Sequence, residues 1–360
     1  MSQIFDVAVI GGGPAGSSAA IAASHFGFTV MLLEAGTLPR HRVCGEFVSG
    51  EALSLLTSLI GEPLLRKAPR IARARIFLDG AQVELPIETV AASVSRYTLD
   101  MALWQSAMAS GCNVRDRTRV KAVRSEGDSF VLEVDGQELH SRSVINASGR
   151  WSNLRAQNLD VHEQWIGLKG HFFEPDAPDS CDLYFFKDGY CGLQSLGNGI
   201  VNAAAMVKPK IARNLEEVFA LNRQLEIRAR RFEPATEFVS TAPLFFRAPR
   251  TSDRGMLLVG DAAAFLDPFA GDGISMALHS GRLAALALAP YLQGVCSLSD
   301  AIENYEAHHR ALIQPALRSA RRLRRLSRLP RGLRNTTMFL LRLAPIAGAV
   351  VRSTRVRSQL

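Results

Sequence analysis

Residues 5–34 read FDVAVIGGGPAGSSAAIAASHFGFTVMLLE, and this segment indicates the architecture of the chain. Its apolar and β-branched start, Phe5–Ile10, is typical of a strand buried on both faces of a parallel sheet. A glycine-rich turn follows, then a helical stretch from Ser17 to Phe26 and a second strand over Thr29–Leu33 that ends at Glu34. The order strand, turn, helix, strand predicts a βαβ unit.

The turn in this unit has the spacing GxGxxG, and each glycine has its own physical reason. Gly11 allows the tight turn, Gly13 lets a diphosphate approach the backbone, and Gly16 lets the helix pack close to the strand. The free N–H groups and the positive dipole end of the helix would hold the diphosphate. Glu34 can accept hydrogen bonds from both ribose hydroxyls and would repel a 2′-phosphate. The segment therefore predicts FAD or NAD rather than NADP.

A second glycine-rich turn lies far along the chain, after another apolar strand over Gly255–Val259. It reads GDAAAFLDPFAGDGI from Gly260 to Ile274 and opens a long apolar helix over Ser275–Leu292. The N-terminus of this helix is suited to face the carbonyl edge of a pyrimidine-like ring and to stabilise negative charge there. Asp261, just past the strand, is placed to bind a ribityl hydroxyl.

Six residues of this second segment carry a family resemblance: Gly260, Asp261, Pro268, Gly271, Gly273 and Ile274. They resemble the flavin-contacting segment of glutathione-reductase-type FAD enzymes. Within that group they are most similar to the branch of aromatic hydroxylases (group A flavin monooxygenases) and geranylgeranyl reductases. The resemblance implies that Asp261 binds near the ribityl chain and that Gly271–Ile274 touches the flavin ring near N1 and O2.

Three further segments agree with the resemblance. Arg40–Glu46, RHRVCGE, is similar to the loop that wraps the flavin, and Ser95–Asp100, SRYTLD, to the start of the helix whose arginine lies near the FAD phosphates. Val144–Arg150, VINASGR, resembles the middle motif, but Ser148 replaces the aspartate that hydroxylases link to both FAD and NAD(P)H. The resemblance implies FAD as the cofactor and NADH or NADPH as the electron donor. Because Ser148 stands in place of that aspartate, direct use of the nicotinamide is in question.

The resemblance also assigns roles to individual residues. The residues expected to bind FAD are Gly11, Gly13, Pro14, Ala15, Gly16, Glu34, Ala35, Arg42, Cys44, Gly45, Arg96, Val120, Gly149, Asp261, Pro268, Gly271, Gly273 and Ile274. The residues expected at the reacting end of the cofactor are Cys44, Pro268 and Gly273, although Cys44 could equally be a small apolar contact. The substrate candidates are Glu46, Phe172, Tyr184 and Tyr190, and each aromatic residue among them could equally be ordinary strand core.

The middle of the chain predicts a second structural unit. Ile71–Pro86 and Trp165–Thr241 contain short β-like segments with turn signals between them, interrupted by one helix-like stretch, Leu215–Arg231. The fold class is therefore α/β, with a Rossmann-like FAD-binding domain interleaved with an antiparallel-sheet substrate domain and followed by C-terminal helices. The expected ranges are 1–70, 96–160 and 251–297 for the FAD-binding domain, 71–95 and 161–250 for the substrate domain, and 298–360 for the basic C-terminal helices.

Composition limits the remaining possibilities. The chain has 360 residues, of which 47% are apolar and 21% charged, as in a globular protein with an ample core. The sequence contains no uninterrupted run of about twenty apolar residues, so no membrane span is predicted. Nothing at the N-terminus indicates a signal or transit peptide. The five cysteines lack metal-ligand spacing, so we expect no metal site, and free thiols in a cytoplasmic protein. A disulfide between Cys181 and Cys191 is the alternative.

The charge is concentrated at one end of the chain. Residues 310–360 contain 13 arginines and no lysine, aspartate or glutamate, so the first 309 residues carry −5 of a net charge of +8. This distribution does not favour nucleic-acid binding. Leucines and arginines alternate at helical spacing after Ala316, Pro330 ends that helix, and an apolar stretch over Met338–Val351 follows. The tail is suited to an anionic membrane surface, or else it caps the substrate domain with its arginines in water.

The preferred function is an FAD-dependent monooxygenase that hydroxylates a hydrophobic, aromatic or polyketide-like molecule through a C4a-hydroperoxyflavin. The protein would hold the ring, exclude water and stabilise the anionic N1. The alternative is a geranylgeranyl-reductase-like enzyme that saturates isoprenoid or lipid double bonds, and the apolar basic tail favours it. A non-catalytic flavin-binding scaffold is the third possibility.

Overall fold

The computed structural model describes residues 3–150, 153–154, 164–241, 243–326 and 330–356. The strands are β1 (Ile4–Ile10), β2 (Val30–Leu33), β3 (Phe47–Val48), β4 (Arg70–Leu78), β5 (Ala81–Ser93), β6 (Asn113–Arg115), β7 (Val120–Glu126), β8 (Ser129–Val134), β9 (Gln137–Asn146), β10 (Ile166–Phe173), β11 (Ser180–Phe186), β12 (Gly189–Gly197), β13 (Ile200–Val207), β14 (Glu233–Pro234), β15 (Val239–Ser240), β16 (Ser252–Asp253) and β17 (Met256–Leu258). The helices are α1 (Pro14–His25), α2 (Gly50–Ile60), α3 (Pro63–Lys67), α4 (Arg96–Ala109), α5 (Leu215–Phe219), α6 (Arg223–Ala229), α7 (Gly273–Leu292), α8 (Leu298–Leu312), α9 (Gln314–Leu326), α10 (Arg331–Leu340) and α11 (Ala344–Ser353).

The first sheet has β1 at its centre and the parallel order β17-β9-β1-β2-β6. Val7 and Val9 face one core, which includes residues of α1 and α7. Ala8 and Ile10 face a second core on the other side of the sheet, made with the β7–β8 hairpin. Because both faces of β1 are covered, every position from residue 7 to residue 10 is apolar. The sequence analysis did not predict the β7–β8 hairpin.

The two long helices begin earlier than their hydrophobic patterns indicate. α1 starts at Pro14 rather than Ser17, because proline at the first helical position has a suitable φ and lacks only an N–H that would be unsatisfied there. α7 starts at Gly273 rather than Ser275. In both cases the glycine-rich turn therefore leads directly into the helix N-terminus.

The second sheet has the order β14-β10-β13-β12-β11-β4-β5-β3 and is antiparallel apart from the β4–β11 pair. The α/β class predicted from the sequence, a Rossmann-like unit with a second sheet, is confirmed. The single helix predicted over Leu215–Arg231 is wrong. Two helices form instead, because the Asn222 side chain accepts hydrogen bonds from the N–H groups of Gln224 and Leu225 and starts α6 anew.

The two faces of the second sheet have different partners. Leu168 and Phe172 on β10 belong to a core that includes α5 and α6. Lys169 and His171, at the alternate positions of the same strand, reach Glu46 in the loop that follows the first βαβ unit. One face of the second sheet, which we call the substrate sheet, therefore faces the domain built on the first sheet, which we call the first domain. The expected boundary at 160/161 lies outside the described residues.

The C-terminal helices cover part of the second sheet. Met338 and Ala347 pack against Val83 and Leu85 of β5. The apolar stretch predicted over Met338–Val351 is divided between α10 and α11. Arginines of this region pair with acidic residues of the sheet, as Arg334 does with Asp79 at 2.7 Å. The tail therefore caps the substrate domain, and some of its arginines are paired rather than solvated. Among the described helices, none is both long enough and apolar enough to cross a bilayer.

Candidate cofactor and active site

The first glycine turn is packed so tightly that two of its positions exclude any side chain. Gly11 has a φ of +111°, and a Cβ placed there would lie 2.4 Å from the carbonyl oxygen of Ala147. A Cβ on Gly16 would lie 1.8 Å from the carbonyl oxygen of Gly11. The turn, the start of α1 and the middle motif at Ala147 are therefore in direct contact. Gly13 differs, since the nearest atom to a Cβ there is Arg96 Nη2 at 3.8 Å, which leaves room at the helix N-terminus.

The second glycine segment lies against the first. A Cβ on Gly260, whose φ is +57°, would be 2.9 Å from Ala15 Cβ. A Cβ on Gly281 of α7 would be 2.1 Å from the Ala15 carbonyl oxygen, so α7 crosses α1 at backbone contact. Two segments that are distant in sequence thus meet at Ala15. They must lie this close together if both are to bind a single dinucleotide.

Asp261 is held at this junction by the middle motif. Its Oδ2 accepts hydrogen bonds from Arg150 Nη2 at 2.5 Å and Nε at 3.1 Å. The Arg150 guanidinium in turn lies 3.7 Å from the centre of the Phe265 ring. The neighbouring Gly149 has a φ of +81°, a conformation that favours glycine. The predicted ribityl-binding aspartate is therefore ordered by Arg150, a contact that the sequence did not predict.

Glu34 lies at the end of β2 next to the turn. Its Oε2 accepts the N–H of Gly12 at 2.8 Å, and its Oε1 accepts the N–H of Gly36 at 3.0 Å and a charged hydrogen bond from Arg40. Burial alone would raise the pKa of Glu34, but these N–H groups and the charges of Arg40 and Arg42 lower it below its ordinary value. Oε2 accepts one hydrogen bond and keeps capacity for a ribose hydroxyl.

Three arginines gather beside the open side of the first turn. Burial lowers the pKa of Arg42, and the charges of Arg40 and Arg96 lower it further. The buried Nε atoms of Arg40 and Arg42 have no hydrogen-bond partner among the described residues. Arg40 pairs with Glu34 and Arg96 with Asp100, so the unsatisfied Nε donors of Arg40 and Arg42 beside the helix N-terminus are the groups that fit a diphosphate. The residues present are thus suited to hold FAD.

The loop after Gly45 meets the turn before α7. Phe47 Cδ1 lies 3.2 Å from the position of a Cβ on Gly271, which has a φ of +69°. Ser49 Oγ donates a 2.6 Å hydrogen bond to Asp272 Oδ1. Residues that directly follow the loop assigned to the flavin, Phe47 and Ser49, are therefore packed against the turn before α7.

The C-terminal segment holds the same turn from the other side. The N–H of Val356 donates to Asp272 Oδ2 at 2.6 Å, and Arg355 Nη1 donates to the carbonyl oxygen of Ala270 at 2.9 Å. Burial raises the pKa of Asp272 to about 7, although the nearby charge of Arg355 lowers it. We call this contact, made by Arg355 and Val356 on residues 270–272, the C-terminal strap. The sequence analysis missed it, because it joins residues distant in the chain.

The other predicted cofactor residues occupy different places in the fold, and Val120 belongs to the second core of the first sheet. Val120 is buried at the start of β7, Ala35 is exposed directly after Glu34, and Pro268 opens a short 3-10 turn, Pro268–Ala270. Ile274 is buried in the first turn of α7.

Tyr190 is the predicted substrate aromatic that faces the first domain. It packs against Phe185 and Phe269 at ring-centre distances of 5.8 Å and 6.1 Å. Phe172 and Tyr184 belong to the core on the opposite face of the sheet. Phe172 and Tyr184 are therefore ordinary strand core rather than pocket residues. Neighbouring residues on a strand point to opposite faces, and it is their neighbours His171 and Phe185 that face the first domain.

Glu46 lies in a buried polar cluster. Its Oε1 accepts hydrogen bonds from Lys169 Nζ at 2.5 Å and from the Arg96 N–H at 2.7 Å, and its Oε2 lies 2.8 Å from His171 Nε2. Glu46 is fully buried, and Lys169 and His171 are 1% and 4% exposed. Sequence reasoning missed Lys169 and His171. Polar residues at alternate positions of the otherwise apolar strand IGLKGHFF were the available signal.

Residues 5–172 match the protein family described as FAD binding domain. Menaquinone reductase of Mycolicibacterium smegmatis is 28% identical over 98% of this chain and 91% of the relative. Digeranylgeranylglycerophospholipid reductase of Methanosarcina acetivorans is 29% identical over 86% of this chain and 81% of the relative.

Solved structures share the fold. A flavin-dependent brominase has a TM-score of 0.82 at 21% identity, covering 98% of this chain and 93% of that chain. A geranylgeranyl bacteriochlorophyll reductase-like protein from Thermoplasma acidophilum has a TM-score of 0.76 at 21% identity, covering 100% and 94%.

Residues 5–172, slightly less than half of the chain, are thus similar to the FAD binding domain family. The whole protein is an FAD-dependent oxidoreductase rather than a non-catalytic scaffold.

Proposed function

We propose that the protein is a flavin-dependent reductase that saturates a carbon–carbon double bond in a prenylated lipid. The observation that carries the proposal is the similarity to menaquinone reductase, which extends over 98% of this chain and 91% of the relative. The similarity to a digeranylgeranylglycerophospholipid reductase has a comparable extent. A hydroxylase is the function expected from the sequence, whereas these relatives favour the reductase.

The chain supplies the surroundings that such a reaction needs. Reduced FAD, when bound, would provide a hydride to one carbon of the double bond, and a proton from solvent would complete the addition at the other carbon. The first N–H groups of α7, from Gly273 onward, belong to the turn that the resemblance assigns to the flavin ring, where they would stabilise negative charge. The apolar cluster of Phe185, Tyr190 and Phe269 excludes water and provides contact area for a hydrocarbon chain.

Anaerobic turnover tests the proposal. The purified enzyme is reduced with NADH or NADPH, the electron donors we propose, or chemically if neither reacts. It is then mixed without oxygen with a menaquinone or a geranylgeranyl lipid. We expect the yellow absorbance of oxidised flavin to return and the prenyl chain of the lipid to gain two hydrogen atoms, a gain that persists after any quinol formed has been reoxidised in air. Flavin that is reoxidised only after oxygen is admitted would overturn the reductase.

The second candidate is the monooxygenase, with a hydrophobic aromatic acceptor. The aromatic wall favours it, because Phe185, Tyr190 and Phe269 meet in tilted and edge-to-face contacts that also suit a planar ring. In the same experiment this candidate requires oxygen, and its product carries one added oxygen atom.

We also propose that the C-terminal helices bind an anionic membrane surface, from which a lipid substrate would be taken. One side of α10 and α11 packs on the sheet, whereas Leu333, Phe339, Leu343 and Ile346 are 37–64% exposed. Arg342 is exposed beside them. Apolar side chains flanked by arginine are suited to the interface of an anionic bilayer.

Vesicle sedimentation tests the membrane surface. We expect binding to vesicles of phosphatidylglycerol and phosphatidylcholine but not of phosphatidylcholine alone. Phe339→Ser should weaken binding by about ten-fold, since a large apolar side chain contributes roughly 1.5–3 kcal/mol when buried. Ile227→Ser is the matched control, an exposed apolar residue of α6. Equal binding by the two variants would contradict this surface.

A further inference from the structure

We propose that Glu46 is a positioning residue that clamps the Cys44–Gly45 loop and the start of α4 onto the substrate sheet. The proposal does not depend on whether the reaction is reduction or hydroxylation. In this arrangement Lys169 and His171 hold the Glu46 carboxylate in place.

Glu46 connects three parts of the protein. Its own N–H donates to Cys44 Sγ at 3.3 Å, which joins it to the loop assigned to the flavin. Its Oε1 accepts the N–H of Arg96, the first residue of α4 and one of the three arginines beside the glycine turn. Its two carboxylate oxygens also reach Lys169 and His171 on β10. A shift of Glu46 would therefore displace the cofactor loop and α4 relative to the substrate sheet.

The backbone of Glu46 also needs to be held. Its φ is +59°, in the left-handed region that costs a non-glycine residue free energy. The carbonyl oxygen of Glu46 accepts the N–H of Val94 at 2.9 Å, and Asn202 Nδ2 donates to the carbonyl oxygens of Cys44 and Gly45 at 3.1 Å and 3.0 Å. The loop is thus tied to β13 and to the end of β5, and the carboxylate provides the charged contacts.

The charges within the cluster support this arrangement. Burial alone would raise the pKa of Glu46, but the hydrogen bond from His171 and the charge of Lys169 lower it below its ordinary value. The carboxylate is therefore ionised at neutral pH, and both of its oxygens hold charged or polar partners. The ring centre of His41 lies 5.2 Å from that of His171, and burial together with the charges of Lys169 and His171 lowers the pKa of His41.

Reactivity of the Cys44 thiol measures the clamp without using enzyme activity. The protein, saturated with FAD, is alkylated for a series of times, and the modified fraction of each cysteine is read by mass spectrometry. Cys296, partly exposed in the segment between α7 and α8, is an internal control in every sample. Cys181 and Cys191 are a second reference, because burial raises the pKa of each thiol to about 12.

The decisive variant is Glu46→Gly combined with Lys169→Met. Glycine removes the strain at φ +59°, and methionine removes the ammonium that would otherwise be buried without a counter-charge, so this protein is expected to fold. We expect Cys44 to react about ten-fold faster than in the wild type, because local opening of the loop exposes it. Cys296 should react at an unchanged rate, and the bound FAD should dissociate more readily.

Lys169→Met alone separates positioning from stability. Glu46 then keeps His171 and the Arg96 N–H, so we expect Cys44 reactivity between those of the wild type and the double variant. If Cys44 in the double variant remains as slow as in the wild type while FAD stays bound, the clamp is wrong. If Cys44 and Cys296 accelerate together, the change is general unfolding, and the clamp is again contradicted.

Discussion

Gly16→Ala is expected to yield protein that binds FAD at least about a hundred-fold more weakly than the wild type, equivalent to roughly 3 kcal/mol. The added Cβ would lie 1.8 Å from the Gly11 carbonyl oxygen and 3.1 Å from Ala147 Cβ. Gly11 belongs to the tightly packed turn and Ala147 to the middle motif after β9 that packs against it, so α1 must move away from both. That movement displaces the N–H groups that would hold the diphosphate, and we expect a lower midpoint of urea unfolding as well.

Gly13→Ala separates cofactor contact from packing. The nearest atom to a Cβ at this position is 3.8 Å away, so the unfolding midpoint should stay near that of the wild type. FAD affinity should still fall by about ten-fold or more, because the methyl group occupies the space where the diphosphate approaches the backbone.

Gly332→Ala serves as the control for both variants. This glycine lies in α10 with open space around it, and alanine there should leave FAD affinity unchanged. Fluorescence titration of the FAD-free protein measures all three affinities. Wild-type affinity in Gly13→Ala would show that the diphosphate does not lie against this turn.

Arg355→Met is expected to lower the free energy of unfolding by about 2 kcal/mol and to weaken FAD binding. The Arg355 side chain is 12% exposed, and its Nη1 lies 3.9 Å from Asp272 Oδ1. Its removal takes away a positive charge near the buried Asp272 carboxylate and the donor that the Ala270 carbonyl has in the structure. The turn that the resemblance assigns to the flavin ring would then lose half of the C-terminal strap.

Arg352→Met is the matched control, three positions earlier on the same segment. Arg352 pairs with Glu88, and the two side chains are 59% and 48% exposed, so its loss should cost less than about 1 kcal/mol. Asp272→Asn added to Arg355→Met should recover part of the stability, because no buried carboxylate remains. Urea unfolding and FAD titration of the four proteins check these expectations. Equal losses in Arg352→Met and Arg355→Met would mean that surface charge, rather than the strap, is responsible.

The glycine turns could be predicted because their requirements are local. Because the strand leads directly into the helix, Gly11 has a positive φ and Gly16 lies close to the Gly11 carbonyl oxygen. The GxGxxG spacing in the sequence indicates both requirements. The restart of helix at Asn222 was also locally encoded, as a capping residue, and the longer helical pattern concealed it.

The substrate side could not be predicted in the same way. Whether Phe172 or His171 faces the first domain depends on the register of β10, and a shift of one residue reverses the two faces. The partner of Lys169 is a loop residue 123 positions earlier in the chain, and no local pattern connects them. The apolar composition of the strand therefore indicated a sheet but not which of its residues meet the cofactor loop.

The C-terminal strap has a consequence for biosynthesis. On the ribosome, the βαβ unit and the turn at residues 270–272 leave the exit tunnel well before Arg355 and Val356. The nascent chain can therefore form the diphosphate end of the cofactor site first, whereas the ring end is secured only after these late residues have been translated. Stable uptake of FAD is then expected only after residues 355 and 356 have emerged from the tunnel.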